Sequence, residues 1–132
     1  MRLIECVPNF SEGKNSDIIS LITDSIKNVD GVSLLGVDPG KNTNRTVVTF
    51  IGTPDAVEEA AFNAIKTASV LIDMSKHKGE HSRMGATDVC PLIPISGVTI
   101  DECIDLSRRL AKKVGEELSI PVYLYEKSSL NL

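Results

Sequence analysis

The sequence predicts an α/β fold: a two-layer sandwich of a mixed β-sheet with helices on one face. Three segments place apolar residues at helical spacing behind N-cap signals, and about five short runs rich in apolar and β-branched residues alternate with them. Two of those runs, Val32 to Val37 and Thr46 to Ile51, are joined without a helix and are expected to pair antiparallel. The 132 residues, 42% hydrophobic and 24% charged, suit one globular domain with its own core.

The elements follow in order. Leu3 to Val7 is an apolar run closed by Pro8 and reads as the first strand. Asn15 and Ser16 can cap a helix whose Ile18, Ile19, Ile22 and Ile26 share one face. Asp30-Gly31 ends that helix, Val32 to Val37 follows as a strand, and Asp38-Pro39-Gly40 reads as a turn. Thr46 to Ile51 is the next strand and stops at Gly52. Thr53-Pro54 opens a second helix, since proline at the first helical position gives up an N–H that has no partner there. Its face of Ala56, Val57, Ala60, Ala61, Ala64, Ile65, Ala68 and Leu71 is broad and made of small side chains, suited to close approach to a sheet. Val89 to Ile95 reads as a strand, and Pro91 and Pro94 direct it to an edge. Thr99 with Glu102 forms a capping box for a third helix to about Leu118, and Pro121 to Tyr125 is a final strand. Helices on one side leave one sheet face open for a partner domain.

Composition narrows the function classes. A net charge of −4 supplies no basic field for nucleic acid or an anionic membrane surface, and no apolar run approaches the ~20 residues of a membrane span. Aromatic residues are 4% of the chain and tryptophan is absent, which argues against a base-stacking surface. Cys6, Cys90 and Cys103 are odd in number and far apart, as expected of reduced thiols in the cytoplasm.

Polar side chains concentrate in three places. Residues 75–88 hold both histidines of the chain, His77 and His81, on a segment between a helix and a strand. Histidine is the side chain whose ordinary pKa lets it take and return protons near neutrality. The segment could equally be a solvated loop, or His77-Lys78-Gly79-Glu80-His81 could be a zinc-binding H-x-x-E-H helix, although Gly79 and Gly85 disfavour a helix there. Asp38 to Thr46 contains a carboxylate, Asp38, able to accept a histidine N–H, and a guanidinium, Arg45, able to fork a substrate carboxylate; an Asx turn and a surface arginine would look the same. Val7 to Gly13, with Asn9, could line a ligand or merely connect strand to helix. Asp88 and Glu102 are further acidic candidates, and nothing in the sequence positions them.

Four runs carry a resemblance: ECVPNFSEG at 5–13, TNRTV at 43–47, LIDMSKHKGEHSRMGATDVCP at 71–91 and PVYLYE at 121–126. In this order, over nearly the whole chain, they resemble the N-terminal subdomain of the formiminotransferases, a ferredoxin-like-related α/β unit. The resemblance implies transfer of a formimino group from N-formimino-L-glutamate to tetrahydrofolate, a co-substrate, with no metal. It places the catalytic histidine on His81 and its partner aspartate on Asp38. Asn9, Arg45 and Arg83 are then expected to bind substrate, with Lys76 and Lys78 adding positive charge. It also implies that residues 1–132 form the N-terminal subdomain, with the rest of that subdomain and a second one lying beyond. The folate would sit in a cleft between the two. A homo-oligomer or a complementary C-terminal half is therefore the expected partner.

Overall fold

The protein is described here by a computed structural model covering residues 1–72, 86–125 and 128–132, with the side chain of Tyr125 excepted. Among these residues the order is β1 (Leu3–Cys6), β2 (Asn9–Phe10), α1 (Ser16–Lys27), β3 (Val32–Gly40), β4 (Arg45–Gly52), α2 (Pro54–Leu71), β5 (Thr87–Ser96), α3 (Ile100–Leu118), β6 (Tyr123–Tyr125) and β7 (Ser129–Asn131). The strands form one sheet, β3-β4-β1/β2-β5-β7-β6, in which β1 and β2 share a lane between β4 and β5. Each helical connection skips one strand, so parallel strands are never neighbours and every described pairing is antiparallel. The α/β sandwich expected from the sequence is the architecture found.

The helices form because their ends are capped and one face of each is apolar. The Asn15 side chain accepts the N–H groups of Asp17 and Ile18 at 3.0 and 3.2 Å. Thr53 makes no such bond, and α2 starts on Pro54. At α3 both halves of the capping box are present: Thr99 Oγ1 accepts from the Glu102 N–H at 3.1 Å, and Glu102 Oε1 accepts from the Thr99 N–H at 3.0 Å. That backbone N–H, aided by Arg2, holds the Glu102 carboxyl below its ordinary pKa. Glu102 is thus a helix cap, tied also to Arg2, rather than an acid at a site.

All three helices cover the same sheet face. Ile22 and Ile26 of α1, Val57, Ala61 and Ile65 of α2, and Leu106, Leu110 and Val114 of α3 meet Ile4, Cys6, Phe10, Val48, Phe50, Leu92 and Leu130 from the sheet. The alanines of α2 let this central helix lie close between its neighbours. Cys6 and Cys90 sit on neighbouring strands with their sulfurs 3.5 Å apart, and both are wholly buried, as is Cys103. All three are free thiols. Burial, reinforced by the adjacent Cys90 thiol, pushes the Cys6 pKa well above its ordinary value. None of the helices among the described residues is long and apolar enough to cross a membrane.

Four sequence expectations are corrected. First, Val7 is not in β1: the chain breaks at Val7-Pro8 and resumes as β2 in the same lane. Second, Asp38-Pro39-Gly40 is strand rather than turn, with Asp38 opposite Val47 and Pro39 opposite Thr46. β3 is an edge strand, where a proline can face outward without costing a ladder bond. Third, β5 is central rather than an edge despite its two prolines. Val7 donates to Pro91 O at 3.2 Å, and the reciprocal bond that Pro91 cannot make is replaced by the Asn9 side-chain amide, which donates to Val7 O at 3.3 Å. Pro94 lies beyond the end of β7, which pairs only with Val89 to Pro91. Fourth, the strand expected over Pro121–Tyr125 is only β6, Tyr123–Tyr125, and it pairs with β7, a strand not foreseen.

Two outcomes follow from this core. Phe50→Ala should lower unfolding free energy by about 3–5 kcal/mol in urea titration, the range for deleting a buried aromatic ring. A thiol-specific aromatic disulfide reagent at about pH 8 should label no cysteine in the native chain and all three after unfolding. Because the folded Cys6 pKa is raised, its contribution to stability is full below the unfolded thiol value of about 8.5 and is lost as pH rises past it.

Candidate functional site

Side chains alternate across a strand, so burial on one face fixes what the other displays. In β4, Thr46, Val48 and Phe50 are buried under the helices, which puts Arg45, Val47, Thr49 and Ile51 on the uncovered face. Register then carries a row across that face. Asp38 lies opposite Val47, Val47 opposite Asn9, Asn9 opposite Val89, Val89 opposite Asn131, and Asn131 opposite Tyr123. Residues directly opposed share a face, so Asp38 and Asn9 look out on the same side, separated by one strand, or about 9–10 Å.

At one end of this row the loops are tied together. Glu12 Oε2 accepts the backbone N–H groups of Lys14 and Asn15 at 3.1 and 2.9 Å, and Gly13 N–H donates to Asn44 Oδ1 at 2.9 Å. The Thr46 hydroxyl donates to the Glu12 carbonyl. Asn44 takes a left-handed conformation (φ 53°), which asparagine tolerates and which turns the chain into β4. Gly13 approaches its neighbours so closely that an added Cβ would lie 2.4 Å from Gly40 O and 2.6 Å from Arg45 N. The 5–13 motif is therefore largely structural: Pro8 breaks the strand, Phe10 enters the core, and Gly13 admits the turn that delivers Arg45.

Arg45 emerges on the uncovered face and reaches over the end of β2 to β5, where its Nη1 meets Asp88 Oδ2 at 2.7 Å. Asp88 is the extra residue of a bulge, since Asn9 pairs with Val89 and Phe10 with Thr87. Its side chain is 19% exposed against 38% for Arg45, so the pair is partly shielded from solvent. The Asp88 carbonyl also accepts the Leu132 N–H at 3.0 Å, and Ser11 N–H donates to Ala86 O at 2.8 Å. Thr87 Oγ1 is buried with no hydrogen-bond partner among the described residues.

Of the residues singled out from the sequence, Asp38, Asn9 and Arg45 are brought to one face. Asp38 is exposed there, and the Asn9 amide is committed to Val7 O. His77, His81 and Arg83, together with Lys76 and Lys78, lie outside the described residues. So does the H-x-x-E-H alternative; among the described residues no group of three or more metal-ligating side chains occurs. The structure adds Asp88, which the sequence left unplaced, Tyr123 on β6, and Asn131 on β7, a strand of three residues too short to show a period. A separate groove of about 750 Å³ runs between α1 and α2, lined by Leu21, Asp24, Asn63, Lys66, Val70 and Leu71. It lies on the helical side, away from this row.

Known proteins resemble this chain over nearly its whole length. Residues 3–131 match the family described as the formiminotransferase domain, N-terminal subdomain. The chain is 53% identical over 128 residues to a formimidoyltransferase-cyclodeaminase of Dictyostelium discoideum, which covers 97% of this chain and 24% of that protein. It is 46% identical over 128 residues to a glutamate formimidoyltransferase of Streptococcus pyogenes serotype M1, and 48% identical over 129 residues to one of Thermoplasma acidophilum. These cover 97% and 98% of this chain and 43% of each relative, so the chain spans less than half the length of the proteins it matches. Gly13→Ala should destabilise the chain by about 1–3 kcal/mol in urea titration, because the new methyl meets only backbone on its three nearest contacts.

Proposed function

We propose, for a chain that belongs to the formiminotransferase family as its N-terminal subdomain, that it supplies one wall of an enzyme transferring a formimino group from N-formimino-L-glutamate to tetrahydrofolate. The observation that carries this reading is the family match over residues 3–131, together with relatives named for formimidoyl transfer.

The chemistry needs a proton carrier. A tetrahydrofolate amine attacks the formimino carbon and a C–N bond forms; the bond between that carbon and the glutamate nitrogen then breaks, and glutamate leaves as the amine. The proton lost by the attacking nitrogen is the one gained by the leaving nitrogen. His81 is the proposed carrier, with Asp38 accepting its other N–H to fix the tautomer. Asn9 and Arg45 are proposed to hold substrate on the uncovered face, with Arg83, Lys76 and Lys78 adding positive charge against two anionic substrates. Arg45 is suited to a carboxylate because its guanidinium, whose Nη1 meets Asp88 Oδ2 at 2.7 Å, is a planar fork of N–H donors. Tetrahydrofolate enters as co-substrate, and the proposed chemistry requires no metal.

The uncovered face also bears on partners. Relatives extend well beyond the matched length, so the proposed cover for this face is a C-terminal half, in the same or a separate chain, or a second copy. Three free, buried thiols, two of them 3.5 Å apart and not joined by a disulfide, suit a reducing compartment, and the proposed location is the cytoplasm.

His81→Ala in the complete enzyme should lower kcat for formimino transfer about 100-fold to 10,000-fold, the usual worth of acid–base help. Tetrahydrofolate binding should persist. A variant that transfers at the unaltered rate overturns the role of His81. A complete enzyme that binds tetrahydrofolate without transferring overturns the activity and leaves a binding module.

A further inference from the structure

We propose that Asp88 is a positioning residue for the substrate carboxylate, acting through Arg45; this rests on the function proposed above. Arginine is a long side chain with much rotamer freedom, and on an uncovered sheet face it has little to hold it. Arg45 is nevertheless fixed at both ends. Its backbone is delivered by the Gly13 contact and the Asn44 turn, and its Nη1 is held by Asp88 Oδ2 at 2.7 Å.

Asp88 can do this because it is itself anchored. The bulge between Thr87 and Val89 makes it the extra residue of β5, and the bond from Leu132 N–H to its carbonyl holds its backbone from the β7 side. The ion pair therefore bridges β4 and β5 across the end of β2, beside Asn9 in the same face of the sheet. An aspartate at this point engages the end nitrogen Nη1, and the Nε–Nη2 edge of a guanidinium so held presents two parallel N–H donors of the kind that forks a carboxylate. The order of the guanidinium is established before substrate arrives, and less entropy is lost on binding.

The sign of the effect separates this role from simple electrostatics. A carboxylate near the substrate carboxylate repels it, so removing the Asp88 charge would tighten binding if charge were all that mattered. Positioning requires the opposite. In the intact enzyme, Asp88→Asn should raise KM for N-formimino-L-glutamate about tenfold with kcat within about twofold, and Asp88→Glu should recover part of the loss. Arg45→Lys, which keeps the charge and loses the fork, should raise KM likewise and guards against a misfolded Asp88 variant. Direct titration of each protein with N-formimino-L-glutamate, followed by calorimetry, gives the same comparison without turnover. An enzyme that binds this ligand but does not transfer sinks the proposed activity alone, while the ratio of dissociation constants still decides the role of Asp88. Binding by Asp88→Asn that is unchanged or tighter overturns the positioning role, as does an unaltered enzyme that shows no binding at all.

Discussion

Alternation of side chains along each strand is the constraint on which the rest of the molecule depends. Three helices cover one face of the sheet, so Thr46, Val48 and Phe50 must point inward and Arg45 and Val47 outward. A slip of one residue in β4 would bury a guanidinium and expose a phenyl ring. The same register that secures the core therefore aligns Asp38, Val47 and Asn9 on the outer face, although they come from three strands. Site and core are two readings of one pairing pattern.

That pattern is held by local devices that look like liabilities in isolation. A break at Val7-Pro8 would weaken an ordinary strand, yet β2 resumes in the same lane and Asn9 restores the hydrogen bond that Pro91 cannot donate. Gly13 contributes no side chain to the core, and any other residue would collide with backbone at Gly40 and Arg45. The bulge at Asp88 interrupts the ladder and in return aims a carboxylate at Arg45. Gly13 and the Asp88 bulge fall where β2, β4 and β5 meet their loops, beside Arg45.

Much of the fold was legible in the sequence, because the signals that end helices are local. Asn15, Pro54 and the Thr99–Glu102 box mark the three starts within a residue or so, and the apolar spacing marks their inner faces. What was hidden depends on neighbours distant in the chain. Pro91 reads as an edge signal until Asn9 is seen beside it, and Asp38-Pro39-Gly40 reads as a turn until β4 pairs with it. The three residues of β7 are too few to reveal a period. Of the candidate site, Asp38, Asn9 and Arg45 were found by residue type and resemblance, and the structure adds their shared face. Asp88 was visible only as an unplaced acid, since its partner lies on another strand.

The central claim is that substrate meets the uncovered sheet face rather than the helical side. Amide chemical-shift mapping of the intact enzyme during titration with N-formimino-L-glutamate tests it most directly. The account expects shifts concentrated at Asn9, Asp38, Val47 and Asp88, with the amides lining the α1–α2 groove, such as Leu21 and Lys66, unmoved. Shifts confined to that groove, with the sheet row silent, would contradict it.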